Sequence, residues 1–287
     1  MRLGVHLSIA GGFPETLARA TRLACTTMQM FSRSPRGGPA PRIIPEAAEQ
    51  FDAERRRLGI DPLAIHSPYI INLASPEAAM WQQSLRLYRE EYARAGALGA
   101  QYLVTHVGSH RGQGDAIGTS QVAAALTETL QARSTVIILL ENTAGSGQGL
   151  GYRFEQLAAI RQRVAAKARV GICLDTAHLF AAGYPIHTED GLEQTLESFQ
   201  QAIGMEHLKL IHLNDSKVPF DSRVDRHWHI GQGHIGLEAF RRLVNHPRLC
   251  LVPMVLETPK SSEDEDRRNL GVVRRLVRSP RRAKAVA

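Results

Sequence analysis

The chain has 287 residues, 43% hydrophobic and 22% charged, with a formal net charge of +7. That length suits one α/β barrel of ~250 residues. No apolar run approaches the ~20 residues of a membrane helix, and the start, MRLGVHLSIAGG, lacks the long apolar core of a secretory signal and reads as a strand.

Eight short apolar runs follow one another: Leu3–Leu7, Thr27–Phe31, Leu63–His66, Tyr102–Val107, Val136–Glu141, Val170–Asp175, Leu208–Leu213 and Leu251–Glu257. They are rich in Val, Ile and Leu and continuous rather than alternating, as in strands of a parallel sheet covered on both faces. Amphipathic stretches separate them. Ser84–Leu98 places Leu85, Tyr88, Tyr92 and Ala95 on one stripe, and Thr119–Ala132, Arg153–Ala166, Leu192–Ile203 and Leu237–Val244 also read as helices. The alternation predicts one α/β domain over residues 1–287, a (β/α)8 TIM barrel with its active site at the C-terminal ends of the strands. An open doubly wound sheet is the competing topology, but its glycine-rich turn after the first strand is missing; Gly11–Gly12 makes only a turn.

The segment Ser32–Ile44, rich in Pro and Gly, reads as a long exposed loop. After Glu257 and Pro259, Ser261 or Ser262 can cap a final helix whose first turn is acidic. From Arg267 onward there are eight Lys and Arg and no acid, against 27 basic and 28 acidic side chains before it. The excess charge is therefore a C-terminal tail from about residue 267, suited to holding a polyanion or to a solvated helix with a basic end. Cys25, Cys173 and Cys250 are far apart and odd in number, which argues against a disulfide framework. Cys173 and Cys250 read as small core residues, and the protein as cytoplasmic.

The chemistry sits at the strand ends. From the third strand onward their last polar residues are His66, His106, Glu141, Asp175, His212 and Glu257. Acids and histidines are only 40 of 287 residues, so six such ends are not expected by chance. In a parallel barrel these ends share one rim, where a ring of imidazoles and carboxylates needs a compensating cation. Mixed N and O donors suit zinc, with manganese or iron as alternatives. Asp175 and His178, three apart, both point inward where a strand turns into its helix. Asp225 and His227, two apart, share one side of an extended segment. Nine donors exceed the needs of one ion and imply two or three metals, with Glu141 placed to bridge.

Taken one at a time, a histidine at a strand end is more often structural than a ligand. Jointly, nine independent polar burials are the less economical account. His6 faces the same rim as a supporting group. His110, His229 and His234 fall in loops, and His187, His207 and His246 read as structural or solvated. Gly231-Gln-Gly-His-Ile-Gly236 fits GxGxxG but follows no first strand, so it reads as a flexible loop before a helix, in a region where barrels bind phosphate.

The segments HSPYIINLASP (66–76), THVGSH (105–110), LLENTAGSGQGLGYRFEQLAAI (139–160), GICLDTAHLFAAGY (171–184), IHLNDSKVPFDSRVDRHWHIGQGHIG (211–236) and VLETP (255–259) resemble the endonuclease IV family of apurinic/apyrimidinic endonucleases. The resemblance covers nearly the whole chain. It implies a tri-zinc TIM barrel, with manganese an alternative at one or more positions. Such an enzyme incises duplex DNA 5′ to an abasic site, leaving a 3′-hydroxyl and a 5′-deoxyribose phosphate. By position, His66 and His106 would hold the first zinc, with Glu141 bridging to a second. Asp175, His212 and Glu257 would complete the second, and His178, Asp225 and His227 would hold the third. Glu141 would orient the attacking water and take its proton. Arg36 and Tyr69 match residues that enter the DNA at the lesion, although no bulky group follows Arg36 here. Abasic duplex DNA is then the partner, with no protein partner and no membrane required.

Two other classes fit parts of the pattern. A sugar isomerase or epimerase of the related barrels would use a Glu, Asp, His, Glu ring like Glu141, Asp175, His212 and Glu257, but has no use for His66, His106, His178, Asp225 and His227. A non-catalytic DNA-lesion binding protein would hold the metals as structure only.

Overall fold

Strands that are apolar on both faces need cover inside and out, and closing a sheet on itself supplies both. The computed structural model describes residues 1–36 and 40–278. In chain order its elements are β1 (Leu3–Leu7), α1 (Gly12–Arg22), β2 (Met28–Phe31), α2 (Pro45–Arg57), β3 (Leu63–His66), α3 (Ala78–Ala97), β4 (Tyr102–His106) and α4 (Asp115–Thr129). They continue with β5 (Ile137–Glu141), α5 (Phe154–Arg163), β6 (Val170–Asp175), α6 (Thr176–Ala181), α7 (Glu189–Ala202) and β7 (Leu208–His212). The last are β8 (Asp215–Ser216), β9 (His227–Trp228), α8 (Leu237–Asn245), β10 (Met254–Leu256) and α9 (Glu263–Leu276). Eight parallel strands close in the order β1-β10-β7-β6-β5-β4-β3-β2, and β8 with β9 forms a separate two-stranded sheet. The architecture is the (β/α)8 barrel that the alternation predicts.

The helices bury the stripes expected of them. Leu85, Tyr88, Tyr92 and Ala95 of α3 are buried, as are Ala239, Phe240, Leu243 and Val244 of α8. Two helices escape a reading by apolar period. In α2 the inward positions are Ala48, Phe51 and Arg55, and Arg55 is fully buried with its guanidinium bonded to the Ile60 carbonyl at 2.6 Å. A charged residue thus fills an apolar position. In α1 the turn glycines lead directly into the helix, Gly11 at φ 87° serving as N-cap. The last barrel strand is shorter than its apolar run. Leu251 is 85% exposed in the preceding turn, and pairing starts beside Pro253, whose carbonyl accepts from the Ile211 N–H at 2.9 Å.

Cys25 and Cys173 are buried, but Cys250 is only half-buried, so it is not the core residue its apolar neighbours suggest. Ser262 caps α9, and the Glu265 carboxylate reaches back to the Ser261 and Ser262 N–H groups. Leu270, Val273 and Leu276 bury one face of this helix. The basic stretch from Arg267 therefore begins as a packed helix, while Arg281, Arg282 and Lys284 lie outside the described residues. No helix among the described residues is long and apolar enough to cross a membrane.

Candidate metal centre

Ala64, Val104, Leu139, Cys173, Leu210 and Val255, one from each of six strands, form a single buried cluster inside the barrel. A strand repeats its facing every two residues. The next inward positions are therefore His66, His106, Glu141, Asp175, His212 and Glu257, one layer nearer the C-terminal rim. Register keeps neighbours level, with His106 beside Glu141 and Asp175 beside His212. Asp175 also caps α6, its Oδ1 accepting from the His178 N–H at 2.9 Å, and this turn aims His178 into the same space.

Glu141 is fully buried at the centre. Its Oε2 lies 3.1 Å from His66 Nε2 and 3.0 Å from His106 Nε2, and its Oε1 lies 2.9 Å from His212 Nδ1. Three groups of side chains converge closely enough to hold an ion each: His66, His106 and Glu141; Glu141, Asp175, His212 and Glu257; Asp175, His178 and His227. Glu141 belongs to the first two and Asp175 to the last two, so two buried carboxylates link all three. Asp225 closes the third group from the solvent side, with Oδ2 3.1 Å from His178 Nε2 and Oδ1 3.4 Å from His227 Nε2.

The outer hydrogen bonds decide whether these residues suit a cation. His66 Nδ1 lies 2.7 Å from the Ser67 carbonyl, His178 Nδ1 2.9 Å from the Asn142 carbonyl and His227 Nδ1 3.2 Å from the Glu257 carbonyl. A carbonyl only accepts, so each Nδ1 carries a proton, and in the neutral ring each Nε2 presents a lone pair. The lone pairs of His178 and His227 then face one another at 3.4 Å with a carboxylate on either side. Lone pairs and carboxylates pointed at one another are mutually repulsive unless a cation lies between them. This donor set fits divalent metal, and the carbonyls are the outer partners that orient metal-binding imidazoles.

The titration behaviour agrees. Burial pushes the Glu141 carboxyl up, but His106 and His212 beside it hold it well below the usual carboxylate range. Burial likewise raises Glu257, and the neighbouring His212 holds it well below that range. Burial lowers His178, and Asp175, Asp225 and Glu141 together raise it well above an ordinary imidazole. Without metal, protons on imidazoles provide the positive charge; an ion binding there must displace them.

Gln29 escapes the strand-end pattern. It is fully buried on β2, level with His6 on β1. Its Oε1 lies 2.9 Å from His212 Nε2 and its amide nitrogen donates to Glu257 Oε1 at 2.6 Å. A carboxylate cannot donate, so the amide oxygen must face His212, whose Nε2 donates and whose Nδ1, a lone pair in the neutral ring, turns to the three carboxylates. Applying the strand-end reading to the second run, whose polar residue lies two before its end, would have found it. His6 is where the sequence put it, with Nδ1 3.0 Å from Glu257 Oε1. Two asparagines complete the support. The Asn142 Oδ1 accepts from the Asp175 N–H at 2.7 Å, and the Asn214 amide donates to Asp175 Oδ2 at 2.6 Å.

The glycine-rich loop is not the free phosphate cradle that its position suggests. The N–H groups of Gly231, Gly233 and Ile235 are all taken by the Asp215 carboxylate, so the loop is pinned rather than flexible. His110 accepts from the Gly112 and Gly114 N–H groups and so holds its own loop.

At the rim, Tyr69 is 66% exposed yet its ring lies 5.8 Å from that of His66 and 6.3 Å from that of His106. Ile70 beside it, unremarked in the sequence, is 49% exposed. Arg36 is exposed near the start of the loop after β2. The base of that loop is anchored on α3: buried Glu91 pairs with Arg33 and accepts from Ser32, and Arg94 donates to Ser32 and to the Pro41 carbonyl. A cleft of about 480 Å³ opens beside the centre, lined by His66, Tyr69, Asn72, His106, Arg111, His178 and Asp225 among others.

The fold and the ring together define a xylose isomerase-like TIM barrel, and residues 17–276 match that family. The chain is 44% identical over 279 residues to a probable endonuclease 4 of Chloroflexus aurantiacus, covering 96% of this chain and 98% of the relative. It is also similar to the crystal structure of endonuclease IV from Thermus thermophilus, with TM-score 0.86, 37% identity, and coverage of 96% of this chain and 98% of that one. The chain belongs to the endonuclease IV family. A D-tagatose 3-epimerase-like protein, at 18% identity and TM-score 0.73 over 96% of this chain and 97% of its own, shares the fold alone.

Proposed function

We propose that this protein is a metal-dependent DNA repair endonuclease. It hydrolyses the phosphodiester 5′ to an abasic site in duplex DNA, leaving a 3′-hydroxyl and a 5′-deoxyribose phosphate. The observation that carries the reading is the set of three His and carboxylate groups sharing Glu141 and Asp175 at one barrel mouth. The endonuclease 4 relatives, matched over nearly their full length, supply the reaction class.

Three zinc ions suit the donors, with manganese an alternative at one or more positions. His66, His106 and Glu141 would hold one, Glu141, Asp175, His212 and Glu257 a second, and His178, Asp225 and His227 a third, with Asp175 also within reach of that last group. When bound, such ions acidify water and neutralise charge that builds on phosphate oxygens. Glu141 is the catalytic carboxylate: it orients the attacking water and accepts its proton on a carboxylate oxygen. Gln29 and the backbone carbonyls keep the imidazoles in the tautomers this needs.

Selectivity follows from what the target lacks. An abasic sugar has no base to stack, so turning it out of the duplex costs least, and the cleft beside His66 and His178 receives it. Tyr69 and Arg36 enter the gap from the rim, with the duplex bent around them. Exposed Lys217, Arg223 and Arg226 border Asp225 and offer phosphate contacts. Three unpaired cysteines suit a reducing compartment, and we place the protein in the cytoplasm, without membrane or obligatory protein partner.

The test is a duplex with one abasic analogue. Zinc-loaded protein should give a single incision on its 5′ side, lost on chelation, and leave undamaged duplex intact. Binding without incision at high enzyme would instead identify a lesion-binding protein. An epimerase would need only Glu141, Asp175, His212 and Glu257, and would carry a single ion.

A further inference from the structure

Asp215 is fully buried three residues beyond His212, and the proposed chemistry does not use it. Its Oδ1 accepts from the N–H groups of Ser216 at 2.8 Å and Ile235 at 3.0 Å; its Oδ2 accepts from Gly231 at 2.9 Å and Gly233 at 3.0 Å. A carboxylate has about four lone-pair sites, and backbone amides fill all of them. Successive amides curled around an anion form the kind of cradle that elsewhere holds phosphate. Here the anion is internal.

The cradle joins three pieces of chain. Asp215 and Ser216 form β8, which pairs with β9 as Asp215 opposite Trp228 and Ser216 opposite His227. The loop 231–235 closes over them, the His234 N–H donating to the Ser216 carbonyl at 2.8 Å. A ladder of two residues is too short to hold a register by itself. Yet this ladder presents His227 and Asp225 to His178, at 3.4 and 3.1 Å, and residues 219–221 and 223–226 leading into it are exposed.

We propose that Asp215 is a positioning residue for the third metal group: its carboxylate clamps the β8–β9 pair so that Asp225 and His227 stay aimed at His178. The inference rests on the metal reading given above. It predicts damage confined to one ion, because the other two groups hang on the barrel strands themselves.

Two variants open the clamp from opposite sides. Asp215→Asn keeps the shape but turns an NH2 toward backbone N–H donors. Gly233→Ala leaves the carboxylate intact, but the new Cβ would lie 2.3 Å from the Ser216 carbonyl oxygen and 2.5 Å from Asp215 Oδ1. Zinc per chain and the free-zinc dependence of loading are measured on wild type and both variants, with Tm alongside. Wild type should carry three ions. Each variant should carry two tightly, the third loading only at free zinc on the order of tenfold higher or more. Incision should recover over the same zinc range. Three ions at wild-type affinity, even with a lowered Tm, would reduce Asp215 to a structural residue and overturn the proposal. Parallel loss of all three ions would overturn it too. If Asp215→Asn does not fold, Gly233→Ala decides by the same counts. A wild type holding fewer than three ions defeats the metal assignment itself, not the clamp.

Discussion

On six of the barrel strands, two inward-facing residues separated by one position meet opposite fates. The lower layer, Ala64, Val104, Leu139, Cys173, Leu210 and Val255, is apolar and buried, and stabilises by leaving water and packing closely. The upper layer, His66, His106, Glu141, Asp175, His212 and Glu257, is polar and charged and, apart from half-buried His106 and Glu257, equally buried; it opposes folding until something positive enters it. One strand geometry carries both, so the difference lies in side-chain chemistry and in what fills the space above. Stability is concentrated one layer below function.

That contrast can be broken at several points. The largest effect should follow Glu141→Gln, which keeps the size of the side chain but removes the proton acceptor. We expect kcat to fall on the order of 10³-fold, with affinity for abasic duplex changed only a few-fold. Loss of binding together with rate would mean that Glu141 holds the fold rather than the reaction. Next comes Gln29→Leu, which removes the acceptor for His212 Nε2 and frees that ring to turn. Metal affinity should fall about 10- to 100-fold by competition with a chelator. An unchanged affinity would show that Gln29 does not set the ring orientation.

One layer down, Leu139→Ala should cost about 2–5 kcal/mol in denaturant unfolding while zinc per chain stays at the wild-type value. Coupled loss of metal would show that the two layers are not separable. The smallest effect concerns pH. Burial lowers both His178 and His212, but Asp175, Asp225 and Glu141 raise His178, and Cys173, Glu257 and Glu141 raise His212, well above the ordinary imidazole value. A raised pKa stabilises fully below about pH 6.5, and that contribution is lost as pH climbs through the raised values. The Tm of metal-free protein should therefore decline as pH rises above about 6.5, while that of zinc-loaded protein holds over the same range. A flat metal-free curve would mean that protons do not stand in for metal.

Some of this was legible early and some was not, for local reasons. The strands read easily because continuous Val, Ile and Leu runs end on a polar residue. The helix α2 hid because Arg55 occupies an inward position that the apolar period reserves for a hydrophobic residue. Gln29 hid because its run continues past it to Met30 and Phe31, both apolar. The GQGHIG loop offered amides to an anion, as its pattern suggests, but the anion is the carboxylate of Asp215, 16 residues before Gly231. The anchoring of the Arg36 loop joins Ser32 and Arg33 to Glu91 and Arg94 about 60 positions away, a pairing that no local pattern encodes.

By itself the order of residues determined the barrel, the rim and the identity of its donors, because the facing of a strand alternates with a fixed period and any reader of the chain can count it. Only the closed tertiary structure decided how the donors are shared, above all that Asp175 reaches the third group as well as the second. Glu141 is level with Cys173, two residues below Asp175, so the stagger of neighbouring strands sets one carboxylate between two histidine pairs and passes the next group on to Asp175. That sharing depends on distances across a closed cylinder, which are fixed by how far each strand is offset from the next.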